Sequence, residues 1–99
     1  MNNQVFNREG AALNIQAFHP GEFLLDEILE RNLLKKDVAK ALDIMPHHLS
    51  AIFKGDRNIS PKLAIKIERL FTDISAEYWM NMQTAYELSE ARQELIEQF

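Results

Sequence analysis

His47, Ser50, Ala51 and Lys54 recur at i, i+3, i+4 and i+7, which on a helix places them along one continuous face. His48 stands beside that face, and Leu49, Ile52 and Phe53 fall on the opposite side. An outward stripe of hydrogen-bonding and small residues is what a helix needs to enter a DNA major groove and approach base edges. Lys35, Lys36 and Arg57 lie near helix ends on either side, where phosphate contacts set register. The expected base contacts are therefore His47, His48, Ser50, Ala51 and Lys54. The expected phosphate contacts are Lys35, Lys36 and Arg57.

The same residues are poor material for other chemistry. Neighbouring side chains on a helix point about 100° apart, so His47 and His48 cannot chelate one ion, and His19 is the only other imidazole. Ser50 lies three residues from His47, with Asp37 and Asp43 nearby in sequence, but no glycine-framed nucleophile turn or phosphate-cradling loop accompanies them. No metal, no cofactor and no catalysis are expected; the activity should be binding. The absence of cysteine removes thiolate sites and disulfides. With no signal pattern and no apolar run near the roughly 20 residues of a membrane span, the expected location is the cytoplasm.

A formal net charge of −4 argues against nucleic acid until its distribution is examined. From Arg31 to Arg69 nine basic residues face four acidic ones, a net of +5, while the flanks carry two basic and eleven acidic residues, a net of −9. A basic middle in an acidic chain fits one face for an anion and other faces for something basic.

Five helices must position these groups. The first begins at Pro20, with Leu24, Leu25, Ile28 and Leu29 turned inward and Glu22, Asp26, Glu27 and Glu30 outward; Asn32 ends it. The second spans about 35–42 and buries Val38, Ala39 and Leu42; Asp43 supplies a tight turn. The third runs from Pro46 to Lys54 and Gly55 closes it. Ser60-Pro61 opens the fourth, with Leu63, Ala64, Ile67, Leu70 and Phe71 inside, and Ser75 caps a fifth reaching Glu90 or beyond. Small Ala39 and apolar Ile44 let the second and third helices pack as a helix-turn-helix. The expected organisation is an N-terminal arm over 1–18, a helix-turn-helix domain with a dimerisation helix over 19–90, and a helical extension or tail over 91–99.

The segments His19-Pro20-Gly21-Glu22-Phe23-Leu24-Leu25 and Asp37-Val38-Ala39-Lys40-Ala41-Leu42 resemble those of HigA-type antitoxins, a branch of the lambda-repressor-like helix-turn-helix proteins. The resemblance continues through residues 52–60 and through Glu77-Tyr78-Trp79-Met80-Asn81-Met82-Gln83, and covers about 18–88. It implies an all-α, five-helix lambda-repressor-like DNA-binding domain. It also implies an antitoxin that binds a small basic RelE-like messenger-RNA endonuclease and represses its own operon as a dimer on a palindromic operator. The chain departs from the family at Leu34 and Met45, where hydroxyl caps are usual, at Lys35, where glutamine is usual, and at Pro46-His47-His48, where arginines are frequent.

Two further surfaces follow. Trp79, Met82 and Tyr86 repeat at i, i+3 and i+7 and are of the types enriched at protein interfaces, so they are the expected homodimer contact. Glu22, Asp26, Glu27 and Glu30 are the expected contacts for the basic toxin. Two other functions fit the same residues. One is a stand-alone repressor without a toxin. The other is a protein-binding module that no longer reads DNA.

Overall fold

The computed structural model describes residues 17–98, which form α1 (Pro20–Glu30), α2 (Lys35–Leu42), α3 (Pro46–Phe53), α4 (Pro61–Leu70) and α5 (Ala76–Gln98). Of the arm expected over 1–18, all but Ala17 and Phe18 lies outside the described residues. Past residue 90, α5 continues without a break.

Each helix starts and stops for a local reason. Proline occupies the first turn of α1, α3 and α4, where its missing N–H has no helical partner to lose. Ser60 Oγ accepts the Leu63 N–H at 3.2 Å and Ser75 Oγ accepts the Tyr78 N–H at 3.1 Å, capping α4 and α5. Glu68 reaches from α4 to accept the Ala76 N–H at 2.8 Å. Leu34 and Met45 stand at the N-caps of α2 and α3 and make no side-chain cap. Asn32 and Asp43 leave α1 and α2 in the left-handed conformation, at φ 57° and 56°.

The helices close around one core that includes Leu24, Ile28, Leu42, Ile52, Ile67 and Trp79. Ala39 is buried where α2 meets its neighbours, and Ile44 packs on the core's edge from the turn between α2 and α3. Beside it α4 lies against α2 and α5, and α1 lies against α3 and α5. Gly21 makes the α1–α3 approach possible, because a Cβ there would overlap the carbonyl oxygen of Ile52.

Three expected placements are corrected. Trp79 is fully buried within its own chain and has no surface to offer a second copy. Leu29, expected inside, is 57% exposed, because it follows Glu22 and Asp26 at i, i+4 and i+7 on the outward stripe. Glu27, expected outside, lies three residues from buried Leu24 and is half-buried. It accepts from Arg31 Nε and Nη2 at 3.1 and 3.0 Å. Arg31 also donates to Asp73 at 2.8 Å, and its guanidinium lies 4.3 Å from the Phe71 ring centroid. One cation of the basic middle is thus spent tying α1 to the α4–α5 turn.

Candidate nucleic-acid interface

α3 presents the expected stripe. His47, Ser50 and Lys54 are exposed and Ala51 half-exposed, while Leu49 and Ile52 are buried beneath them. The apolar underside therefore fixes which residues point outward. His48 sits at the edge of the stripe, half-buried. Loss of water around its ring, and then the charges of Arg57 and His47, hold its pKa below the ordinary imidazole value. It therefore stays neutral at pH 7, and acidification must go further before it adds charge to the face.

The flanking cations are brought to this helix by separate devices. Lys35 opens α2, and its ammonium lies 5.9 Å from the ring centroid of Phe53 on α3. Lys36 is exposed beside it. Arg57 comes back beside the same helix because the chain folds back after α3, and its charge is felt at His48. Gly55, at φ 82°, donates to the Ile52 carbonyl at 3.0 Å. The Asp56 and Arg57 N–H groups then donate to the Ala51 carbonyl at 2.9 and 3.3 Å. A hydrogen-bonding helix face with cations beside it is suited to hold a nucleic-acid backbone while side chains approach base edges.

Two positioning residues were not assigned this role from the sequence. His19 caps α1 by accepting the Gly21 N–H on Nδ1 at 2.9 Å, and its Nε2 lies 3.4 Å from Asn58 Oδ1 in the loop after α3. The Tyr86 ring meets it edge-on, with centroids 4.8 Å apart, so one imidazole joins α1, the loop and α5. Gln83 is buried, accepts the Ile59 N–H at 2.8 Å and donates to Glu87 at 2.9 Å, fastening the end of the Arg57 loop to α5. The sequence carried signals for both. Histidine before Pro-Gly sits at an N-cap position, and Gln83 falls on the core stripe of α5 between Trp79 and Tyr86. Replacing Gln83 with leucine preserves most of its volume but strands the Ile59 N–H. The expected loss is about 1–3 kcal/mol, read from the denaturant midpoint. An unchanged midpoint would contradict this role.

The other expected contacts separate. Met82 is half-buried against the core, and Tyr86 is half-buried with its hydroxyl donating to Glu90 at 2.8 Å. Glu22, Asp26 and Glu30 are exposed on the outer side of α1 with Leu29 among them.

The family model described as Helix-turn-helix matches residues 25–79. The chain is 39% identical over 79 residues to Virulence-associated protein I of Dichelobacter nodosus, covering 79% of this chain and 72% of that protein. It is similar to the Pseudomonas aeruginosa antitoxin HigA solved with the higBA promoter, at 36% identity and a TM-score of 0.76, over 84% of this chain and 90% of that one. It is also similar to an addiction module antidote protein of a HigA family from Coxiella burnetii, at 28% identity and a TM-score of 0.76, over 85% and 91% of the two chains. By the span of the matched model and this degree of identity, the chain belongs to the helix-turn-helix family.

Proposed function

We propose that this chain is the antitoxin of a toxin–antitoxin pair, acting in the cytoplasm as a homodimer. It captures a small basic RelE-like messenger-RNA endonuclease and represses its own operon by binding operator DNA. The observation that carries the DNA half is α3, with His47, Ser50 and Lys54 exposed along one face and Lys35 and Arg57 held beside it. The similar antitoxin solved with promoter DNA supports the same reading.

The toxin half rests on α1. Glu22, Asp26 and Glu30 surround an exposed leucine, so the face combines carboxylates that steer a basic partner with an apolar anchor. Glu27 is engaged by Arg31 and does not join this row. Reversing Glu22, Asp26 and Glu30 to lysine should weaken capture of a RelE-like basic toxin by at least tenfold in a pull-down at low salt. Undiminished capture would remove this face from the site.

The dimer rests on α5. With Trp79 internal and Met82 and Tyr86 half-buried, the large apolar side chains exposed among the described residues of this helix are Tyr78 near its start and Leu88, Leu95 and Ile96 further on. These last three share a side at i, i+7 and i+8. All three are exposed, so charged replacements there leave the single-chain core intact. Changing Leu88 and Leu95 together to glutamate should give the monomer mass in sedimentation. A dimer mass would place the contact elsewhere.

A further inference from the structure

Beside the reading face of α3 lies an open groove of about 440 Å³, bounded by His48, Asp56, Arg57, Lys62, Leu63 and Lys66. Its charge is one-sided, with three cations against the carboxylate of Asp56. Lys62 and Lys66 are one helical turn apart on α4, so both side chains leave the same side of that helix. Among the described residues no carboxylate forms a salt bridge with Arg57, Lys62 or Lys66, in contrast to Arg31. His48 and Arg57 belong to both the groove and the reading face, which makes the two surfaces continuous. The neutral state of His48 leaves the positive potential of the groove to the three long side chains.

We infer that this groove is a second phosphate-binding site in which Lys62 and Lys66 of α4 hold the nucleic-acid backbone beyond the segment reached by α3. The inference rests on operator binding through α3 and extends its footprint. Lys35, Lys36 and Arg57 give a dimer about six phosphate contacts, for which affinity falls about a thousandfold between 50 and 200 mM salt. Two more lysines in each protomer raise the count to about ten and the fall to about a hundred-thousandfold.

The test is a fluorescence-anisotropy titration of the full chain on its own upstream duplex across that salt range, for the wild type, K62A/K66A and the single-charge control K40A, a lysine outside the groove. The expected result is that K62A/K66A binds more weakly at low salt and loses only about a thousandfold across the range, a slope some 3–4 units shallower than that of the wild type. K40A should keep the wild-type slope. A double variant with the wild-type slope overturns the inference while leaving operator binding intact. Wild-type protein that shows no salt-dependent DNA binding instead overturns the operator reading on which it rests. A parallel titration with inorganic phosphate, followed by the NMR signals of the lysine side chains, separates the two sources of the anion. Saturable phosphate binding at Lys62 and Lys66 with no change in the DNA slope would make the groove a free-anion site and overturn the assignment to the backbone.

Discussion

Replacing Gly21 with alanine should destabilise the protein by about 3 kcal/mol or more, at the upper end of what overpacking costs. The reason is a contact with backbone rather than with a side chain that can turn away. The new Cβ would overlap the Ile52 carbonyl oxygen, so α1 and α3 must separate or the peptide must move. The residues on either side are committed as well. His19 caps the helix through the Gly21 N–H, and Leu24 and Ile28 are fully buried one and two turns later. Because α1 braces the underside of α3, the damage should reach DNA binding as well as the melting temperature. Thermal and denaturant unfolding of the single variant measure it. A midpoint within about half a kcal/mol of wild type, the range of an ordinary surface change, would show that α1 and α3 do not approach this closely.

Changing Ser50 to glutamate should do the reverse, leaving the fold and removing the function. Ser50 is exposed in the middle of α3, and glutamate is a good helix former, so stability should change by no more than about half a kcal/mol. In the proposed dimer a carboxylate at that position would face the DNA in both protomers and oppose the phosphates assigned to Lys35, Lys36 and Arg57. Operator affinity should fall toward non-specific binding, about a thousandfold or more. An anisotropy titration on the operator together with a melting curve checks both halves. Wild-type affinity in a folded variant would place the reading surface away from α3.

The helix-turn-helix was legible because its signals are local. The 35–42 span of α2, the proline starts and the left-handed Asn32 and Asp43 all depend on neighbours in sequence, and all stand where the spacing placed them. The stripe of His47, Ser50, Ala51 and Lys54 was legible for the same reason. What the sequence obscured were residues whose roles depend on a distant partner. Glu27 was read with the acidic row because of its charge, yet its spacing from Leu24 and Ile28 puts it at the core's edge, where Arg31 holds it. Trp79 is of a residue type common at interfaces, but in a domain this small the indole is needed to fill the space against Phe23, whose ring lies 5.3 Å away. Gln83 and His19 hold the loop that carries Arg57 across separations of 24 and 39 residues, beyond the reach of any periodic pattern.

The most direct measurement is a fluorescence-anisotropy titration of the purified chain onto its own upstream DNA and onto a scrambled duplex, each at 50 and 200 mM salt. The expected result is tight binding that prefers the native sequence by about a thousandfold or more and weakens steeply with salt. Equal affinity for the two duplexes, or binding that ignores salt, would contradict operator recognition through α3.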